Sequence, residues 1–272
     1  MAFPYTIYGK FGWEKVVSTT KKHKLGTRME LPDGRVLYYA LANGAIGAGQ
    51  LAMQLNHHSA GHIKDRALIA SAALGATRVL IKSSKATVIA DYYADGFMYV
   101  NDMGTGVSKG EGYVYRIKSH VKTPGTHTSA TITLILDEED GIQEEALAST
   151  LTEIGLRANP FRDVELWDAS DIDGRPAGVP NVDVANNEYF WCQTWGPASV
   201  LTEGTVVLGK VVVPAASKIG TVAHGVIDGA VIAITPTTKT AGGGQEVMPV
   251  VGVVESVGAD TEYSLVFLTL SR

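Results

Sequence analysis

The sequence predicts an all-β protein built of sandwich- or barrel-like modules, with an extended N-terminal arm. Asp-Gly and Asn-Gly pairs recur along the chain, and short runs rich in β-branched and aromatic residues lie between them. Almost nowhere do apolar residues keep a helical period. Such turn pairs mark tight reversals, because Asp and Asn tolerate left-handed backbone and Gly adopts it freely. Many short strands at turn spacing are the pattern of a sandwich or a barrel.

Residues 1–24 interleave Phe3, Tyr5, Tyr8, Phe11 and Trp13 with lysines, without strand or helix periodicity. This is the expected arm. Five aromatics within thirteen residues are far more than a frayed terminus carries, and uncovered apolar surface usually marks an interaction site. Tyr5, Tyr8, Phe11, Trp13, Lys10, Lys15, Lys21 and Lys22 are therefore the candidate interface residues.

From residue 31 the turns are Asp33-Gly34, Asn43-Gly44, Asp95-Gly96, Asp140-Gly141, Asp173-Gly174 and Asp228-Gly229. Arg35 to Leu41, Thr77 to Ile81 and Phe97 to Val100 read as strands. Tyr113 to Lys118 sets Tyr113, Tyr115 and Ile117 opposite Arg116 and Lys118, and Thr131 to Leu136 alternates Thr with Ile and Leu. Period-two alternation is the mark of a half-buried strand. Val206 to Val213, Val231 to Ile234, Pro249 to Val254 and Tyr263 to Leu270 continue the pattern. Two segments, Ala67 to Ala73 and Gln143 to Leu156, have the composition of short helices. Gly174, Pro176, Gly178 and Pro180 suggest a boundary near 173–185, which divides the chain into an arm (1–24), a main domain (25–175) and a C-terminal module (184–272).

The composition, 45% hydrophobic and 19% charged, is globular. No apolar run approaches the length of a bilayer crossing, so no membrane partner is expected. The first residues, Met1 to Tyr5, lack a basic region followed by an apolar core, so no secretory signal is expected. Cys192 is the single cysteine, which excludes an intramolecular disulfide and points to synthesis in a reducing cytoplasm. Net charge is −5, unevenly spread: residues 1–35 carry seven Lys/Arg against three acids, residues 137–175 twelve acids against three arginines. Because the basic part is confined to the arm, direct nucleic-acid binding is not expected.

Constellations that carry chemistry are incomplete. His57, His58 and His62 cluster, but no Glu follows the first His as a zinc-hydrolase helix requires, so a solvated loop is expected. Asp168 to Gly174 looks like the opening of a Ca²⁺ loop, yet counting back from Gly174 puts Ala169 at the first ligand position and Pro180 at the twelfth. An Asp-rich turn is expected, with an irregular Ca²⁺ site as the other reading. Gly104 to Gly112 has Lys109 before Gly110, not after it, and a strand follows where a phosphate loop needs a helix. Ala241 to Gly244 is read as a loop tip. Cys192 lies in the apolar run Tyr189 to Cys192, where a buried thiol is commoner than a nucleophile. His120, His127 and His224 have no identifiable nucleophile, and the acids between Asp137 and Asp173 leave only a chance glycosidase-like pair. No catalytic residue, cofactor or metal is assigned.

Several islands resemble an uncharacterised family of structural proteins from tailed phages. They are Leu25 to Arg28 with Leu31 to Val36, Tyr93 to Gly96 with Val100 to Asp102, Gly112 to Ser119, Gln193 to Ala198, and Val251 to Val254 with Glu262 to Ser264 and Phe267-Leu268. The resemblance implies a virion component, most readily a cement or decoration protein on the capsid exterior, without enzymatic activity. Its implied partners are the major capsid protein and further copies of itself in a homotrimer, the arrangement that suits local three-fold positions of a shell. The other readings are a tail, baseplate or head-fibre protein, a glycan-binding module with Trp191 and Trp195 as platform, and a carboxylate-dependent glycan hydrolase.

Overall fold

The structure, a computed structural model, describes residues 6–54, 65–82, 88–102, 110–121, 131–138, 141–149, 151–168, 174–216, 218–225, 227–228, 231–232 and 248–272. It is all-β. In chain order the first strands are β1 (Thr6–Tyr8), β2 (Arg28–Glu30), β3 (Val36–Leu41), β4 (Ala52–Gln54), β5 (Arg66–Ala67) and β6 (Arg78–Lys82). Next come β7 (Phe97–Asp102), β8 (Val114–His120), β9 (Thr131–Leu136), β10 (Glu153–Arg157), β11 (Glu165–Leu166) and β12 (Arg175–Pro180). The last are β13 (Tyr189–Glu203), β14 (Val211–Pro214), β15 (Val222–His224), β16 (Ile227–Asp228), β17 (Val231–Ile232), β18 (Gly252–Ser256) and β19 (Tyr263–Thr269).

The chain divides into two compact units, and the division is not the one expected. Residues 57–159 form an inserted unit, and residues 3–56 with 160–272 form the host unit. The expected boundary at 173–185 instead contains β12, which pairs with both β4 and β13 inside the host unit. Gly178 is not linker punctuation. At φ 144° its bare backbone packs against Cys192, whose Sγ would stand 2.8 Å from a Cβ placed there. The main-domain and C-terminal-module division fails for the same reason: β3 and β13 are neighbours in one sheet, from Tyr189↔Leu41 to Trp195↔Val36.

The inserted unit is a six-stranded sheet in the order β5-β10-β7-β8-β9-β6. A bridge between Leu68 and Ile81, with Ile69 N–H donating to the Leu80 carbonyl at 2.9 Å, joins its two ends into a barrel. The alternation foreseen in the sequence fills it: Ile132, Leu134 and Leu136 from β9 and Tyr115 and Ile117 from β8 point inward with Val79, Ile81, Met98 and Val100. The two expected helices are absent. Arg66–Ala67 is strand, Ala72 bridges Leu147, and Glu153–Arg157 is strand, so tertiary pairing overrides the local helix propensity.

In the host unit, β13-β15-β14-β18-β19 close on themselves, because β19 also pairs with β13. Val200, Val212, Val222, Val254, Val266 and Leu268 fill this second barrel with Leu51, Met53 and Trp167, and the Trp167 indole donates to the Ala215 carbonyl at 3.0 Å. The predicted strand Val206 to Val213 is interrupted by a turn at Leu208-Gly209, Gly209 taking φ 72°. The first half of β13 leaves the barrel to pair with β3, and β1, β2 and β3 extend the sheet from there. Gln193 holds the bend between the two halves. Its buried amide nitrogen donates to the carbonyls of Trp195, Gly196 and Pro197 at 3.2, 3.3 and 2.9 Å, and its amide oxygen accepts from Asn181 at 3.0 Å. Gly196 sits in this bend at φ 87°, and Gly196-Pro197 lies within β13.

Candidate functional site

The segment expected to stand out as an arm lies along the host unit from residue 6 onward. Thr6–Tyr8 pairs parallel to Arg28–Glu30, and Gly9 N–H donates to the Glu30 carbonyl at 2.9 Å. A single 3-10 turn over Trp13–Lys15 follows Gly12, which takes φ 97°. Glu14 turns inward: one carboxylate oxygen accepts the Gly12 N–H at 2.6 Å, and the other lies 3.5 Å from the Arg35 guanidinium. Further on, Ser18 and Tyr189 exchange two backbone hydrogen bonds, at 3.0 and 2.7 Å, and Lys22 N–H donates to the Tyr39 hydroxyl at 3.0 Å. His23 packs its ring against Tyr39 and Trp191, with centroids 5.1 and 5.3 Å away. Burial there lowers the His23 pKa from its ordinary 6.5 and raises that of Tyr39.

This anchoring turns one side of the segment outward. Tyr8 is 81% and Phe11 62% exposed, and Trp13 and Val16 are exposed beside them. Lys10, Lys15, Lys21 and Lys22 are exposed along the same segment, while Tyr5 lies outside the described residues. Fixed backbone, exposed aromatics and exposed lysines thus lie together in one strip. β1 ends the sheet, so the strip also has a strand edge at its start.

The other candidates fall apart or lie elsewhere. His57, His58, His62, Lys109 and His127 lie outside the described residues, as do 169–173 of the Asp-rich turn and 241–244. Among the described residues no group of three or more His, Cys, Asp or Glu comes together as a metal site. Cys192 is fully buried, and burial pushes its thiol pKa well up, which removes the thiolate needed of a nucleophile. His120 is buried in the inserted unit, where Nε2 accepts the Tyr93 N–H at 3.0 Å and Nδ1 lies 3.0 Å from the Val121 carbonyl. His224 is half-buried at the end of β15. Of the acids, Glu138 pairs with Lys118 at 2.5 Å on the surface. Trp191 is buried in a core with Leu25, Met29, Leu37 and Tyr39. Trp195 meets Phe267 edge-on at 5.5 Å and lies under Arg272 at 5.6 Å. The two tryptophans therefore do not form a common platform.

One feature has no counterpart in the sequence reading. Ala48, Gly49, Pro180, Asn181, Ser199 and Tyr263 line an open hollow of about 260 Å³. Three stretches of chain far apart in sequence, besides Gly49's own, supply it, so no local motif announces it. Comparison with protein-family models, with curated proteins and with solved structures finds no match.

Proposed function

We propose that this chain is a structural protein of a tailed-phage particle, acting as a cement protein on the outer capsid surface. One observation carries the reading furthest: the strip from Tyr8 to Lys22 presents exposed aromatics and lysines on a backbone that hydrogen bonds and the buried Glu14 hold in place. A cement protein needs broad adhesive surface spread over its partner, and a strip of this kind supplies it without a pocket. The resemblance of the islands between residues 25 and 270 to virion proteins supports the same reading.

In this role the major capsid protein is the partner, and its acidic seams take the lysines while Tyr8, Phe11 and Trp13 bury their rings. Each such ring, once covered, contributes about 1.5–3 kcal/mol before ordering costs. Because the strip is already ordered on the body, little conformational entropy is lost when it docks. Several copies bound as a homotrimer gain further through multivalency.

Immunogold labelling of virus particles with antibodies to the chain tests the proposal. Label over the capsid surface is the expected result. Label confined to the tail would replace the cement role with a tail or baseplate one, and unlabelled particles with antigen only in the surrounding lysate would remove the virion role.

A further inference from the structure

The hollow lined by Ala48, Gly49, Pro180, Asn181, Ser199 and Tyr263 is built on hydrogen-bonded backbone. Gly49 N–H donates to the Pro180 carbonyl at 2.9 Å, and the Gly49 carbonyl accepts the Leu201 N–H at 2.8 Å. These two bonds lace three distant stretches of the host unit together. Gly49 takes φ 75°, and a Cβ there would stand 2.5 Å from the Tyr263 ring and 2.7 Å from the Ser199 carbonyl oxygen. Only glycine lets the ring settle that close. Tyr263 is thus pinned along one ring edge against backbone and is still 50% exposed. Asn181 is fixed as well, its amide nitrogen donating to the Gln193 amide oxygen at 3.0 Å.

The polar groups of the lining are neutral and open to a ligand. Among the described residues, the Ser199 and Tyr263 hydroxyls have no hydrogen-bond partner, and the Asn181 amide oxygen accepts no bond. Hydroxyl and amide groups can both donate and accept. No charged side chain lines the hollow. Asp183 borders it, one carboxylate oxygen accepting the Ala48 N–H at 2.8 Å and the other left to accept. A phosphate or carboxylate would therefore meet no cation, and a wholly apolar ligand would cover the Asn181 amide without pairing it. A neutral sugar satisfies both demands. Its C–H face suits an aromatic ring, and the hydroxyls around its edge donate and accept. At about 260 Å³ the hollow falls below the roughly 300–1,000 Å³ of drug-sized pockets and has room for a single ring.

We infer that this hollow binds one neutral sugar ring, its C–H face against Tyr263 and its hydroxyls on Asn181, Ser199 and Asp183. Because the lining is already fixed, little order is lost on binding. The site shares no residue with the strip from Tyr8 to Lys22, and neither Trp191 nor Trp195 takes part in it. The inference goes beyond the cement role and does not depend on it.

Nuclear magnetic resonance of the full chain, titrated in turn with glucose, galactose, mannose and N-acetylglucosamine, is the test. At least one sugar is expected to shift the backbone amides of Gly49, Asn181 and Ser199, saturating in the millimolar range. Saturation transfer from the protein should reach the ring C–H protons of that sugar. Tyr263→Ala is expected to weaken the binding about tenfold or more. Ser199→Gln, which fills the hollow from an exposed strand position, is expected to abolish it, and decides alone if Tyr263→Ala fails to fold. Inorganic phosphate and methylammonium at the same concentrations should leave these amides unmoved. No response to any of the sugars, undiminished binding by either variant, or an equal response to phosphate or methylammonium would each overturn the inference. None of these outcomes bears on capsid labelling, so the sugar site and the cement role fail separately.

Discussion

Glu14 reaches Arg35 at 3.5 Å with one carboxylate oxygen while the other takes the Gly12 N–H at 2.6 Å, and so fastens the exposed strip to the turn at Asp33-Gly34. Arg35 is held in turn by Asp33 at 2.7 Å. Replacing Glu14 by Ala leaves the Gly12 N–H without its acceptor. The expected cost is about 1–3 kcal/mol, concentrated in this segment. Hydrogen exchange of Gly12 to Val16 should accelerate by at least tenfold, while Val200 and Val266 in the barrel stay protected. Uniform loss of protection would show that Glu14 serves the whole unit instead.

Acid should loosen the same segment through His23. Burial against Tyr39 and Trp191 lowers its pKa in the folded protein, so the unfolded chain binds the proton more readily. Stability from this group is fully present above about pH 6.5 and is lost as pH falls through the folded-state value. Urea unfolding of the parent and of His23→Gln at pH 7.5 and pH 5.5 checks it. The parent should lose more stability over that interval than the variant, and equal losses would exclude His23 as the source.

At the bend of β13, Gln193 supplies one amide nitrogen to three carbonyls. Gln193→Leu removes the donor that these three carbonyls share, at a cost of about 3 kcal/mol. Gln193→Glu should be worse, since a carboxylate would face carbonyl oxygens. Equilibrium denaturation ranks the three chains. If Glu is tolerated as well as Gln, the amide does not hold the bend.

His120 makes a prediction for the inserted unit alone. Because Nε2 accepts from Tyr93, the ring proton belongs on Nδ1, where it donates to the Val121 carbonyl. Nitrogen NMR should show a neutral Nδ1–H tautomer. His120→Ala should destabilise the inserted barrel by about 2 kcal/mol through loss of its bond to the Tyr93 N–H, and leave the unfolding of the host unit in place. A shift of both transitions together would mean that the two units unfold as one.

Strands with one wet face were legible in the sequence, as Thr131–Leu136 and Val114–His120 show. Their alternation is a direct imprint of burial on one side. The first half of β13 was not legible, because Phe190 to Thr194 are all buried and a strand covered on both faces loses its period. Nor was the insertion: pairing of Tyr39 with Trp191 across some 150 residues leaves no local trace. The aromatic strip was visible as composition, yet its attachment was not. Glu14 reads as one more surface charge until the fold brings Arg35 beside it.

The inserted unit joins the host through two connections, one after β4 and one before β11, and these two strands are themselves hydrogen-bonded neighbours, Met53 opposite Glu165. A protease that cuts one connection therefore severs the chain without releasing a piece. The inserted barrel stays tied by the other, and the host barrel, whose strands come from the far side of the cut, stays closed. Nicked molecules should run as two bands in denaturing gels and as one species in native ones. Such a chain would outlast its first cleavage.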